Sequence, residues 1–228
     1  MRSRHQLHRT VVRFTRLLLA ATIISSTAVA SAQTFTAGPG SAIPATELDT
    51  FDGGPRTNVD RNNTIALPAG TYQASTFNYA AGQAGDVTPF LAFSPANDNT
   101  YHILAVGSSV VVPGSTPVTA SVPFGGSDTF TLPGAITVFA GITNSNTSPQ
   151  NPIFLQTGQF LYLTAHDVPP LDPDRFTVGG VLESSGFAVP NLPRRYAFSI
   201  DITAIPEPAS LSLLTLTAFT LLTRPRRS

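Results

Sequence analysis

The sequence predicts an all-β fold: a single antiparallel β-sandwich of jelly-roll character over residues 33–205, flanked by two short terminal segments of different composition. Three observations carry this. No window between Gln33 and Ile205 holds an apolar stripe at helical spacing for three turns. The apolar runs are short and end at Gly, Pro, Ser or Asn, which is how strands are punctuated. The last of them alternates cleanly, with Tyr196, Phe198, Ile200 and Ile202 on one face and Ala197, Ser199, Asp201 and Thr203 on the other. Such a strand belongs to a sheet with one wet face.

Taken in order, strands are predicted at Tyr72 to Tyr79, Val87 to Phe93, Tyr101 to Val112, Val118 to Phe124, Thr129 to Leu132, Ile136 to Thr143, Gln159 to Ala165, Arg175 to Glu183 and Arg195 to Thr203. The breaks between them are Leu67-Pro68-Ala69-Gly70, Val112-Pro113-Gly114-Ser115, Phe124-Gly125-Gly126-Ser127 and Leu132-Pro133-Gly134. Their short spacing is the rhythm of a sandwich or jelly roll. Thr64-Ile65-Ala66-Leu67-Pro68 and Thr129-Phe130-Thr131-Leu132-Pro133 echo one another, two matches that do not amount to a repeat. Residues 33–63 are the least patterned, with turn signals at Gly38-Pro39-Gly40 and Asp52-Gly53-Gly54-Pro55. Pro190 to Pro193 reads as a loop between strands.

Charge is unevenly placed although the net formal charge is zero. Arg2, Arg4, Arg9, Arg13 and Arg16 crowd the start, and Arg224, Arg226 and Arg227 the end. Between Gln33 and Ile205, five arginines face twelve acids, a balance of −7. An acidic body with no lysine and no basic cluster excludes nucleic acid as a partner, because phosphate contacts need dense cationic groups. The absence of cysteine excludes disulfides, thiolate metal sites and cysteine nucleophiles. Core burial or a bound metal must therefore hold the domain together.

Both ends have the order of targeting segments. Arginines precede the apolar run Leu17 to Ile24, and Ala28-Val29-Ala30 and Ala30-Ser31-Ala32 follow. This is a signal peptide over residues 1–32, with cleavage expected after Ala32 and a second site at Ala30. The apolar stretch is too short for a membrane anchor. At the other end Pro206-Glu207-Pro208 leads into the mainly apolar run Leu211 to Leu222 and then Arg224-Pro225-Arg226-Arg227-Ser228.

In these three parts and their order, residues 206–228 resemble the PEP-CTERM sorting signal of Gram-negative bacteria. The resemblance covers the tail alone. It implies transient insertion in the inner membrane, processing by an exosortase-type enzyme at Pro206, Glu207 and Pro208, and a destination in the cell envelope, at the cell surface or in an extracellular matrix, where exopolysaccharide is the expected partner. Membrane physics suits the same role. Residues 209–222 as a helix at ~1.5 Å per residue would span roughly 21 Å, short of the ~30 Å hydrocarbon core. Thr215, Thr217, Thr220 and Thr223 weaken the segment further. Its arginines would remain cytoplasmic, leaving the triplet at the outer face. Two prolines hold that triplet extended, ready for a protease cleft.

No constellation in the body announces catalysis. His102 lies between Tyr101 and Ile103 in an apolar strand, and His166-Asp167 are sequence neighbours that a strand would point to opposite faces. Two histidines 64 residues apart do not make a zinc site. Calcium takes loop carboxylates, and Asp167, Asp172 and Asp174 form the best such cluster, with Asp49 and Asp52 a second; neither has the spacing of an EF-hand loop. The expectation is a fold needing no cofactor, with calcium at Asp167, Asp172 and Asp174 as the alternative. Tyr72, Tyr79, Tyr101, Tyr162 and Tyr196 could stack on sugars, yet strand alternation explains each as core or sheet surface. Asn62-Asn63-Thr64 and Asn146-Thr147-Ser148 fit the glycosylation pattern, which is short enough to arise by chance. The function expected is a non-enzymatic surface or matrix protein of structural or adhesive type. Its alternative is a secreted carbohydrate-binding or carbohydrate-active module with a calcium site.

Overall fold

The computed structural model describes residues 32–40, 57–96, 100–112, 118–144, 153, 155–156, 176–183 and 195–206. All belong to one compact unit, Ala32–Ser228. The strands are β1 Thr34–Ala37, β2 Thr57–Val59, β3 Ile65–Leu67, β4 Gly70–Ala81, β5 Gly85–Phe93, β6 Thr100–Val106, β7 Val110–Val112, β8 Val118–Pro123, β9 Thr129–Leu132, β10 Ile136–Asn144, β11 Leu155–Gln156, β12 Val181–Glu183, β13 Arg195–Tyr196 and β14 Phe198–Ile205. Among the described residues there is no helix, and so none that could cross a membrane. The predicted strand Gln159 to Ala165 and the run Leu211 to Leu222 lie outside them.

Every strand pairing is antiparallel, and the strands form two principal sheets that share one core. One has five strands in the order β1-β14-β4-β8, with β9 sharing the β8 edge of β4. The other has seven, in the order β12-β6-β5-β10-β2, with β7 continuing the β6 edge and β3 the β2 edge. If β2/β3, β6/β7 and β8/β9 are each counted as one interrupted strand, and the added edge strand β12 and the separate pair β11/β13 are set aside, the eight strands that remain run first-last-third-sixth in one sheet and second-seventh-fourth-fifth in the other. That is jelly-roll order, as the turn rhythm predicts.

The sequence echo marks the two corners of this roll. After Leu67 the chain crosses from the seven-stranded sheet into β4, and after Leu132 it crosses back into β10. Each proline ends its strand by removing a ladder donor. The corners are reciprocal: β3 pairs with the start of β10 (Leu67 opposite Ile136), and β9 pairs with the start of β4 (Leu132 opposite Gly70).

Alternation builds the core between the sheets. Tyr72, Ala74, Phe77, Tyr79, Phe198, Ile200 and Ile202 point inward from one sheet and meet Val87, Leu91, Ala105, Val138, Ala140 and Ile142 from the other. Burying each large side chain of this set stabilises by roughly 1.5–3 kcal/mol. The rings pack in pairs, Phe77 on Tyr79 at 5.2 Å between centroids and Tyr72 on Phe130 at 5.7 Å.

A second apolar cluster lies on the outer face of the seven-stranded sheet: Val59, Phe90, Ala92, Tyr101, Ile103, Phe139 and Leu182, with Val106 and Phe176 against it. Phe90 lies over Gly141, its cross-strand partner, and meets the edge of Phe176 at 5.2 Å and 84°. A β-carbon at Gly141 would overlap the ring, lying 2.6 Å from Cε1 and Cε2. This sheet is thus apolar on both faces, while the five-stranded sheet has one wet face.

Three strand expectations are corrected. Arg195 to Thr203 is interrupted at Ala197, so that β13 pairs with β11 while β14 pairs with β4. Tyr101 to Val112 is not continuous: it breaks at Gly107, whose amide donates to Pro89 O at 2.8 Å, while Ser108 N donates to Phe124 O at 2.8 Å. A β-carbon at Gly107 would stand 2.7 Å from Pro89 Cγ, so tertiary crowding ends β6 there. Arg175 to Glu183 is a strand only from Val181 among the described residues; Phe176 to Gly179 bend and turn, Gly180 N closing on Thr177 O at 2.9 Å. Within the weakly patterned stretch, β1, β2 and the neighbouring β3 escaped the sequence reading because strands of three or four residues are too short to show a period.

Candidate interaction surface

Every second residue of the five-stranded sheet faces away from the core, and on this side the sequence supplies hydroxyls, amides and carboxylates. In register across β1, β14 and β4 stand Thr34, Thr203 and Gln73 in one row and Thr36, Asp201 and Thr76 in the next. Ser199, Asn78 and Ser121 form a third row across β14, β4 and β8. The strands of this sheet contain no arginine, and the chain has no lysine.

These side chains are tied to one another. Thr36 Oγ1 donates to Asp201 Oδ1 at 2.8 Å, and Asn78 Nδ2 donates to Asp201 Oδ2 at 3.0 Å. Ser121 Oγ donates to Asn78 Oδ1 at 2.6 Å. One chain of hydrogen bonds therefore crosses four strands and converges on a carboxylate. Further along the edge that β8 and β9 share, Asp128 accepts from Gln73 Nε2 at 2.9 Å and from Thr129 Oγ1 at 3.1 Å.

A β-bulge sets the phase of this face. The register slips between Asp201 and Ile202, leaving Ser75 as the extra residue of β4. Its hydroxyl donates to Asp201 O at 3.1 Å, and its carbonyl accepts from Phe124 N at 3.0 Å. Inward residues accordingly change parity along β4, from Tyr72 and Ala74 to Phe77 and Tyr79. That parity change was the sequence signal for the bulge, and with it Gln73 and Asn78 could have been placed on the wet face.

Chemically this set of side chains offers hydrogen-bond donors and acceptors. Ser121 gives its proton to an amide oxygen, which is no base, so nothing activates it as a nucleophile. Asp201 has two oxygens with about four acceptor positions. Two of these take Thr36 and Asn78, on a side chain that is half-buried.

Only some of the residues singled out from sequence lie among those described. Ala32 is exposed two residues before β1, and Pro206 is exposed directly after β14. Ala30, Glu207, Pro208, Asp167, Asp172 and Asp174 lie outside the described residues, as do Asp49, Asp52, Tyr162 and His166. His102 stacks on Phe93 at 5.1 Å between centroids. Tyr72, Tyr79, Tyr101 and Tyr196 are buried and offer no ring to a sugar. Burial raises the hydroxyl pKa of Tyr72 and Tyr79 above the usual 10.0. Tyr72 also donates to Pro68 O at 2.9 Å.

Two buried polar groups among the described residues have no partner: the Asn58 amide and the Tyr101 hydroxyl. They sit on opposite faces of the seven-stranded sheet, Asn58 paired with the core residue Ile142 and Tyr101 edge-on to Phe139 in the outer cluster. Among the described residues no group of three His, Asp or Glu side chains could hold a metal ion. No family model matches the chain, nor does any curated protein or solved structure.

Proposed function

We propose that this chain is an exported envelope protein of structural or adhesive type, processed at both ends, whose wet sheet face contacts a hydroxyl-rich polymer such as exopolysaccharide. The tail resemblance supports the destination. The observation that carries the contact is the hydrogen-bonded chain Thr36–Asp201–Asn78–Ser121, which steps across two adjacent rows and four strands. Such a network loses little side-chain freedom on binding, because its members are already ordered. Its donors and acceptors match a polymer that presents hydroxyl groups along its length.

Binding of the processed protein to a glycan array and to exopolysaccharide from the same cells tests this. Asp201→Ala should weaken binding by roughly 10-fold or more, since a hydrogen bond to a charged group is worth ~1.5–3 kcal/mol. Binding that ignores Asp201→Ala and Asn78→Ala would remove the face from the proposal. Processing is read by intact mass, with Gln33 expected as the first residue and everything from Pro206 onward lost. Mature protein that retains Leu211 to Leu222 would instead carry a permanent anchor.

A further inference from the structure

The first and last strands of the described domain are neighbours. β1 pairs with β14 antiparallel, Thr34 opposite Thr203 and Ala37 opposite Ile200. The last bond of this ladder runs from Ala204 N to Gln33 O at 2.8 Å. Ala32 therefore stands beside Ile205, one residue from Pro206. We infer that the β1–β14 pair is a clip that holds the two processing sites side by side, and that this end of the five-stranded sheet faces the membrane while the terminal segments are still attached. The inference rests on the reading of both ends as removable membrane-directed segments.

Hydrogen bonding coincides with the two expected cuts. Cleavage after Ala32 leaves Gln33, whose carbonyl is the last acceptor used by Ala204, so no rung of the ladder is lost. Removal of Pro206 and beyond also costs none, because proline has no amide hydrogen to give and β14 ends at Ile205, opposite Thr71. The domain that remains is closed at both ends by the same pair of strands.

Reach requires the two exits to be close. Pro206 to Ser210 can span at most ~18 Å between β14 and the apolar run, and Ser25 to Ala32 at most ~29 Å on the other side. A strand as long as β14 covers ~26 Å. Were β1 to start at the far end of β14, crossing the sheet would use nearly all of the N-terminal link. With the exits adjacent, both links reach one membrane from a folded domain. Ile205 and Pro206, both exposed, are the part of the sheet nearest that surface.

Cross-linking in the full chain tests the clip. Gln33 and Ala204 are a hydrogen-bonded pair, so Thr34 and Thr203 are a non-hydrogen-bonded pair with close Cα atoms, within disulfide range. The chain has no cysteine of its own. Thr34→Cys with Thr203→Cys, expressed where the protein is exported and followed by pulse labelling, should form the disulfide while the tail is still attached and keep it after the tail is lost. Thr34→Cys with Ser121→Cys should not cross-link within the chain. If the first pair fails to accumulate as protease-resistant protein, Gln33→Cys with Ala204→Cys puts the same question. No disulfide in the folded, tail-bearing form, or one that appears only after tail removal, overturns the clip. Intact masses separate this from the processing reading. A cross-linked protein that keeps both ends leaves the pairing standing and removes processing; loss of both ends with no cross-link does the reverse.

Discussion

Replacing Gly141 by alanine adds one methyl group at the point where the Phe90 ring covers the backbone of β10. The added carbon would lie 2.6 Å from two ring atoms, and Phe90 cannot swing away freely because it is fully buried and edge-packed on Phe176. Overpacking of this kind costs ~1–3 kcal/mol. Removing a strand glycine returns ~0.5–1 kcal/mol of backbone entropy, which leaves a net loss of roughly 0–2.5 kcal/mol, with its mid-range near 1 kcal/mol. For a domain of this size the mid-range value is a fall of about 2–4 °C in Tm. Urea denaturation of Gly141→Ala should show a lower midpoint at unchanged slope. In a Phe90→Ala background, itself ~3–5 kcal/mol less stable, the same change should become neutral or stabilising, so the cycle shows a coupling of ~1–3 kcal/mol. An equal loss in both backgrounds, or no loss in the parent, would refute the argument that ring and glycine fit together.

Asn58→Leu should stabilise the domain by ~1–3 kcal/mol, since it removes a buried amide with no partner and fills similar space; a loss of stability on thermal denaturation would mean the amide is bound to something. Alkaline pH should unfold the protein through Tyr72 and Tyr79. Burial raises their folded pKa above 10.0, so their contribution is complete below the unfolded value and is lost as pH climbs past the folded one. Denaturation midpoints measured from about pH 9 upward should fall, and Tyr79→Phe should flatten the decline. Melting with millimolar calcium and with excess chelator should give the same Tm, because a body of about 170 residues can be held by its core. A calcium-dependent rise of about five degrees, abolished by Asp172→Ala or Asp174→Ala, would instead place a bound ion in the Asp167 to Asp174 loop.

How much was legible in the sequence depended on the range of the physics involved. Period-two alternation is local, so Phe198, Ile200 and Ile202 could be assigned to the core and Ser199, Asp201 and Thr203 to the wet face before any partner strand was known. Proline and glycine likewise end strands for local reasons, and the Leu-Pro corners stood out as an echo whose meaning awaited the sheets. Only the tertiary structure decided what distant groups impose: the break at Gly107 comes from Pro89 and Phe124, and the bulge at Ser75 lies opposite Asp201. The second apolar face of the seven-stranded sheet had a faint local sign in the nearly unbroken apolar run Pro89 to Phe93, yet what it packs against, Phe139, Phe176 and Leu182, is non-local. The hydrogen-bonded chain Thr36–Asp201–Asn78–Ser121 draws its members from four separate strands, so no spacing along the sequence could have joined them. The meeting of Gln33 with Ala204 has the same character. Composition led only to the expectation that both ends are removed, whereas it is antiparallel pairing of the first strand with the last that sets Gln33 beside Ala204.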